Sequence, residues 1–169
     1  LAAGHLQAAL RHLLLPNQLE KFHELGELDF SHELEHVGRF RGNAFRQNRG
    51  VSIVLRMVPS RIPTAEELGL PDIIRSFAGL QNGLVLFTGP AGVGKSTTLA
   101  ALIDMINDER QSHIVTIEDP IEFVHPNKRA LVNQREVGVH TRSFASALRS
   151  ALREDPDVIL VGELRDLET

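Results

Sequence analysis

The sequence predicts an α/β protein in which a small α+β unit precedes a larger domain built on a parallel β-sheet. Two observations lead to this prediction. The second half of the chain alternates short apolar runs with helical patterns, which is typical of parallel sheets covered by helices. Between one such run and a helical pattern, residues 89–97 read GPAGVGKST, a complete G-x-x-x-x-G-K-[ST] phosphate-binding loop.

Composition limits the class of protein. The 169 residues are 42% hydrophobic and 24% charged, as in ordinary globular domains. The formal net charge of −4 gives no basic footprint for nucleic acid, so we expect no nucleic-acid partner. No apolar run is long enough to cross a bilayer. Because the chain has no cysteine, it holds neither disulfides nor thiolate metal sites.

The first 58 residues are predicted to form the small α+β domain. Residues 1–26 read as two helices separated by Pro16, and Gly26 is a plausible helix end. Their apolar stripes are Leu6, Leu10, Leu13 and Leu14 in the first helix, and Leu19, Phe22 and Leu25 in the second. Residues 27–47 look extended, residues 48–50 are a turn, and residues 51–58 are rich in β-formers.

A linker over residues 59–72 is predicted next, because Pro59, Pro63 and Pro71 prevent one continuous helix or central strand there. The second domain then covers residues 73–169. A helix at 72–80 is expected to turn Ile73, Ile74 and Phe77 inward. The further predicted elements are a strand at 84–88, a helix at 96–110, a strand at 113–117, a hairpin-like stretch at 129–137, a helix at 143–154 and a strand at 157–161.

The phosphate-binding loop predicts nucleotide binding. Its glycines let consecutive backbone N–H groups point at phosphate oxygens, and the following helix N-terminus favours an anion. Lys95 is expected to reach the β- and γ-phosphates, and the Ser96 hydroxyl to bind Mg²⁺. The predicted nucleotide-binding residues are Gly89, Pro90, Ala91, Gly92, Val93, Gly94, Lys95, Ser96 and Thr97.

Two acidic segments are candidates for the chemistry of hydrolysis. The apolar run 157–161 ends near Glu163, where a carboxylate beside the phosphates helps hold Mg²⁺ or polarise water. Residues 116–122 place three carboxylates in a turn after a strand, and a carboxylate there could orient or deprotonate the attacking water. The alternatives are an ordinary acidic strand end and a solvated acidic turn.

These segments together resemble the secretion-ATPase superfamily, and most closely its PilT-like type IV pilus retraction ATPases. The resemblance rests on GPAGVGKSTTLAALID, TIEDPIEF, the stretch from NQREVGVH to ELRDLET, and RFRGNAFRQNRGVSIVLRMVPS, so it covers nearly the whole chain. It implies a PAS-like N-terminal domain and a RecA-like ATPase domain, both partial. It also implies a hexameric ring that hydrolyses Mg·ATP on the cytoplasmic side of the inner membrane, against a pilus platform protein.

The resemblance also assigns roles to residues. Lys95, Ser96 and Thr97 match the phosphate and Mg²⁺ ligands. Glu122 matches the proposed general base and Glu163 the acidic residue of the Walker B motif, with Glu118 as a third candidate. The family places N-domain arginines near the γ-phosphate, and the matching residues are Arg39, Arg41 and Arg56. Their alternative role is cross-strand pairing with neighbouring acids.

Regions that the family carries before and after these segments are absent from the sequence, so we expect a fragment truncated at both ends. Such a fragment should keep nucleotide binding but lose efficient turnover and ring assembly. A pilus assembly or type II secretion ATPase is an alternative, although Glu154 favours retraction, since assembly relatives more often have Gln there. Alternatives of other classes are a nucleic-acid-dependent RecA-like motor and a non-hydrolysing nucleotide-binding subunit. His32 and His36 are interpreted as surface histidines rather than metal ligands.

Overall fold

The computed structural model describes residues 3–59, 61–164 and 167–169. The chain divides into two compact units, Leu1–Ser60 and Arg61–Thr169. None of the helices among these described residues is long and apolar enough to cross a membrane. Residues 61–72, which belong to the predicted linker, are grouped with the second unit.

The first unit contains two helices followed by an antiparallel sheet. The helices are α1 (Ala3–Leu13) and α2 (Pro16–Leu25), and the strands are β1 (Glu27–Leu34), β2 (Gly38–Gln47) and β3 (Gly50–Met57), in the order β1-β2-β3. Pro16 begins α2, where its missing N–H costs no helical hydrogen bond. Gly26 ends α2 in the left-handed region at φ 80°. The two predicted helices are therefore confirmed.

The helices of this unit cover one face of the sheet. The buried cluster between them consists of Leu10, Leu14, Phe22, Phe30 and Ala44. Leu25 was predicted to continue the apolar stripe of α2, and that prediction is wrong, because its side chain is 63% exposed. Leu25 is the last residue of α2, and the chain turns away into β1 directly after it.

The second unit has a parallel sheet with helices on both faces, as predicted. Its elements are α3 (Asp72–Arg75), α4 (Lys95–Glu109), β4 (His113–Glu118), β5 (Leu131–Glu136), α5 (Phe144–Ala151) and β6 (Val158–Val161). The strand order is β5-β4-β6, and both pairings are parallel. Successive residues of β4 face opposite sides, so Ile114 packs in the α4 cluster whereas Val115 and Ile117 pack with α5.

Three predicted elements of this unit are corrected. The stretch 129–137 is not a hairpin: β5 pairs parallel to β4, and residues 119–130 carry the chain back to the start of the sheet, because a parallel pair requires such a crossover. The helix predicted at 72–80 is α3 followed by a 3₁₀ turn, Ser76–Gly79. Ile73 is 66% exposed instead of inward, whereas Ile74 does pack against the core.

The predicted strand at 84–88 is the third correction. These residues belong to neither of the two sheets among the described residues. Leu84 and Leu86 are exposed, and Phe87 alone of this run packs against the α4 cluster. Apolar composition alone does not predict a strand, because a strand also needs a neighbouring strand that pairs with its backbone N–H and C=O groups. Residues 84–88 pair with no strand of the two described sheets.

Candidate functional site

The phosphate-binding loop leads directly into α4. Gly92 and Gly94 have φ values of 82° and 92°, a region that residues with a Cβ rarely adopt. Gly94 is the N-cap of α4, no side chain caps this helix, and its first turn contains no acidic residue. The N–H groups and the positive end of the helix dipole are therefore available to an anion.

Lys95 lies at the first position of α4 and folds back over the loop. Its Nζ donates hydrogen bonds to the carbonyl oxygens of Gly89 and Pro90, each at 2.8 Å. Ser96, the next residue, is exposed. An ammonium held beside uncapped backbone N–H groups gives the loop a concentrated positive field, which suits phosphate oxygens.

The carboxyl ends of the three parallel strands bring acidic side chains to one edge of the sheet. Glu118 ends β4, Glu136 ends β5 directly beside it, and Glu163 follows β6. Gly162 lies close to β4, since its N–H donates to the Ile117 carbonyl at 2.8 Å and an added Cβ would lie 3.3 Å from that oxygen. Ligand chemistry in parallel sheets is usually found at this edge.

A cleft of about 80 Å³ opens between α4 and these strand ends. Its polar lining includes Ser96 from α4, Glu163 after β6, and Glu118, Glu122 and His125 from the segment after β4. The structure thus brings the predicted residues Ser96, Glu122 and Glu163 to one cleft at the end of the phosphate-binding loop.

Glu118 is buried and hydrogen-bonded on both carboxylate oxygens. Oε1 accepts from the Thr116 hydroxyl at 2.6 Å and from Gln134 Nε2 at 3.1 Å, and Oε2 accepts from the backbone N–H of Glu122 at 3.3 Å. Burial raises the pKa of Glu118, and these hydrogen bonds oppose the shift. With its oxygens engaged, Glu118 is better suited to holding the following loop than to accepting a proton from water.

Residues 119–125, which we call the acidic loop, are also held by residues that the sequence analysis did not single out. Glu136 Oε2 accepts from the Ile121 N–H at 3.2 Å, and Gln134 contacts the loop near its end. His125 is buried, its Nδ1 has no hydrogen-bond partner among the described residues, and burial lowers its pKa. Residues 131–136 read LVNQRE, with two apolar residues followed by four polar ones, so the sequence contains no periodic signal that would single out Gln134 and Glu136.

The predicted arginines lie in the first unit. Arg41 of β2 is the cross-strand partner of Arg56 of β3, and Arg39 lies two residues before Arg41. All three are on the sheet face opposite the one that holds Phe30 and Ala44. Arg39 lies opposite Glu33, and its Nη2 is 3.5 Å from the Ser31 hydroxyl.

The oxygen donors of the cleft suit Mg²⁺. Among the described residues, no group of three or more His, Cys, Asp or Glu side chains could hold a metal ion. Mg²⁺ is commonly held by one or two protein oxygens together with substrate phosphates and water, so it does not need such a group. A hydroxyl and a carboxylate in one cleft, at the end of a phosphate-binding loop, provide that donor set. His32 and His36, in and after β1, are not part of any such group.

Comparisons with known proteins show which proteins the chain is similar to. The sequence profile of the family described as "Type II/IV secretion system protein" matches residues 31–169. The chain is 55% identical over 164 residues to the "Type IV pilus retractation ATPase PilT" of Pseudomonas aeruginosa, covering 97% of this chain and 48% of the relative. It is 60% identical over 143 residues to a "Twitching motility protein" of Neisseria gonorrhoeae, covering 85% of this chain and 38% of the relative.

Among solved structures, the chain matches one described as "Crystal Structure of the Pilus Retraction Motor PilT and Bound ADP". The TM-score is 0.94 at 52% identity, and the match covers 96% of this chain and 48% of the solved chain. The chain therefore spans about half the length of the PilT proteins it matches.

Proposed function

Because the chain belongs to the type II/IV secretion system protein family, we propose that its second unit binds and hydrolyses Mg·ATP to power type IV pilus retraction. One structural observation supports this proposal above all. The uncapped N-terminus of α4, with Lys95 over the loop, opens onto a cleft lined by Ser96, Glu122 and Glu163. A phosphate site and acidic groups for water activation are thus adjacent.

In the proposed mechanism, the backbone N–H groups of residues 91–97 and the Lys95 ammonium bind the β- and γ-phosphates. The Ser96 hydroxyl and the Glu163 carboxylate would hold Mg²⁺, and the bound ion would supply positive charge beside the phosphates. Glu122 accepts a proton from the attacking water. The two carboxylate oxygens of Glu118 accept hydrogen bonds from Thr116, Gln134 and the Glu122 N–H, so Glu118 supports the loop that carries Glu122.

The wider assembly is also part of the proposal. We assign Arg39, Arg41 and Arg56 to the phosphate site of a homohexameric ring, where they would stabilise charge on the γ-phosphate. The ring would act at the cytoplasmic face of the inner membrane on a pilus platform protein. The names of the relatives support retraction over assembly or secretion, because PilT and twitching-motility proteins match at 55% and 60% identity.

The test compares Lys95→Ala with Lys21→Ala, a matched change at an exposed position in α2. Binding of ATP and ADP is measured by calorimetry, and hydrolysis is measured in the full-length protein. We expect Lys95→Ala to weaken binding at least tenfold and to abolish hydrolysis, while Lys21→Ala behaves as wild type. Wild-type affinity in Lys95→Ala would overturn the phosphate-site assignment.

Cellular and nucleic-acid assays separate the alternatives. Retraction predicts that cells carrying Lys95→Ala keep surface pili but lose twitching, whereas an assembly motor predicts loss of the pili themselves. Hydrolysis stimulated more than tenfold by a polynucleotide would favour a nucleic-acid motor. Nucleotide binding without any turnover in the wild type would favour a non-hydrolysing subunit.

A further inference from the structure

The Gln134 side chain makes three hydrogen bonds with described residues, one with Glu118 at the end of β4 and two with the acidic loop that carries Glu122. The residue lies on β5 and is half-buried. Its Nε2 donates to Glu118 Oε1 at 3.1 Å and to the Phe123 carbonyl at 2.9 Å. Its Oε1 accepts from the backbone N–H of His125 at 2.8 Å. One side chain therefore connects the end of β4 with the far end of the acidic loop.

The amide of Gln134 is suited to this set of partners. Two acceptors, Glu118 Oε1 and the Phe123 carbonyl, face its NH₂ group, and one donor, the His125 N–H, faces its oxygen. A carboxylate at this position would place oxygens against both acceptors, and an apolar side chain would leave all three groups without this partner. Only a glutamine-length amide in one orientation satisfies all three at once.

Glu122 lies between the residues that bond to Gln134, which follow it in the chain, and a second pair of hydrogen bonds made by the backbone N–H groups of Glu122 and Ile121. Its backbone N–H donates to Glu118 Oε2, and the preceding N–H, that of Ile121, donates to Glu136 Oε2. Gln134 and Glu136 are two apart on β5 and thus point to the same face of the sheet. The backbone on either side of Glu122 is therefore held by side chains from β4 and β5.

The rest of the crossover is held by different residues. Asn107 of α4 is buried, donates from Nδ2 to the Pro126 carbonyl at 2.7 Å and accepts from the Lys128 N–H at 3.1 Å. Lys128 also forms ion pairs with Asp104 and Asp108 of α4. Losing the Gln134 amide should therefore loosen residues 119–125 while residues 126–130 stay attached to α4.

We propose that Gln134 is the positioning residue for Glu122, holding the acidic loop so that the Glu122 side chain lines the cleft beside Ser96 and Glu163. The inference rests on the proposed ATP hydrolysis. Because a displacement of about 1 Å in a reacting group can cost roughly 10²-fold in rate, the effect should fall on catalysis and not on nucleotide binding. The phosphate-binding loop makes none of the hydrogen bonds of Gln134.

The first measurement is steady-state hydrolysis by the full-length protein. Gln134→Met keeps the length of the side chain but removes its hydrogen bonds, and we expect kcat to fall about 10- to 100-fold with KM for ATP within twofold of wild type. Gln134→Glu should be at least as damaging, because it places a second carboxylate against Glu118. Leu131→Gln, at a 51% exposed position of the same strand, is the control and should leave kcat unchanged.

The second measurement does not depend on catalysis. The His125 backbone N–H donates its hydrogen bond to Gln134 Oε1, and burial lowers the pKa of the His125 imidazole. The charged groups that act on this imidazole are Asp104 of α4 and Lys128 of the crossover. NMR titration of the His125 ring, assigned with His125→Gln, should show its pKa rising towards about 6.5 in Gln134→Met, because the loosened loop exposes it.

The outcomes distinguish the inference from the function on which it rests. A wild type without hydrolysis would overturn the proposed function. An active wild type with unchanged kcat in Gln134→Met would overturn the positioning role alone. An equal loss in Leu131→Gln, or an unchanged His125 pKa in Gln134→Met, would also overturn it, because the role requires a local release of the acidic loop.

Discussion

The carboxylate of Glu118 accepts a hydrogen bond from the backbone N–H of Glu122, at 3.3 Å. The two residues are four apart in the sequence, and both line the same cleft. They differ in exposure, since Glu118 is buried whereas Glu122 is exposed. The two glutamates are therefore suited to different roles: Glu118 holds the acidic loop by hydrogen bonds, and Glu122 is accessible to a water molecule.

Glu122→Gln should lower kcat about 100-fold or more, because general-base catalysis contributes roughly 10²–10⁴ in rate. ATP affinity of Glu122→Gln should change less than twofold.

Glu163→Gln should instead raise the Mg²⁺ concentration needed for half-maximal activity. Hydrolysis by the full-length protein, measured over a Mg²⁺ series, checks both. Glu109→Gln, at the exposed end of α4, is the control, and Glu122→Gln with wild-type kcat would contradict the base assignment.

The arginines of the first unit have two possible roles that give different results. If Arg39, Arg41 and Arg56 serve the phosphate site, alanine at each should lower kcat of the assembled protein by roughly 10³-fold, the lower end for arginine fingers. If Arg39 only pairs with Glu33 across strands, Arg39→Ala should reduce the free energy of unfolding by about 0.2–1 kcal/mol and leave kcat unchanged. Arg41 and Arg56 lie directly opposite each other, so alanine at either removes a like-charge pair and should not lower the free energy of unfolding through cross-strand pairing.

Denaturant unfolding and hydrolysis, measured on the same arginine variants, decide between these roles. Arg49→Ala in the β2–β3 turn is the control, because this exposed arginine lies outside the strands. A full-rate enzyme with all three arginines replaced would exclude the catalytic role.

Gly42→Ala should destabilise the first unit. A Cβ on Gly42 would overlap Cζ of Phe30, which is buried against the two helices. Forcing atoms into a packed core typically costs about 1–3 kcal/mol. Denaturant unfolding should show this loss of unfolding free energy for Gly42→Ala in the wild type. In a Phe30→Ala background, adding Gly42→Ala should cost less, because the ring that the Cβ overlaps is gone. Gly79→Ala, where an added Cβ meets no atom within 4 Å, should be close to neutral.

His125 should make stability depend on pH. Burial lowers the pKa of His125, so the folded state favours the neutral imidazole. Its contribution is present above the ordinary histidine value of about 6.5 and is lost as the pH falls through the lowered value. When the pH is lowered from 7.5 to 5, the melting temperature of the wild type should therefore fall more than that of His125→Gln. Glu118, whose pKa is raised, is common to both proteins, and a pH-independent difference would contradict the assignment.

Most of the fold followed from local patterns in the sequence. The apolar stripes, Pro16 and Gly26 predicted both N-terminal helices, and the helix after the phosphate-binding loop was predicted to within a residue of its start. The two wrong strand assignments share one cause. The run at 84–88 and the stretch 129–137 were assigned from composition alone, but whether a strand forms, and in which direction it pairs, depends on which neighbour it meets.

The sequence by itself predicted the phosphate-binding loop with Lys95 and Ser96, because nine contiguous residues carry the glycines, the ammonium and the hydroxyl of the motif. The tertiary structure decided which acidic residues are buried and hydrogen-bonded and which are exposed in the cleft. Gln134 lies 16 residues after Glu118, and Glu136 lies 15 after Ile121, so their hydrogen bonds exist only because β5 pairs parallel to β4. Hydrogen bonds between distant segments need a fixed strand register, and only the fold supplies one.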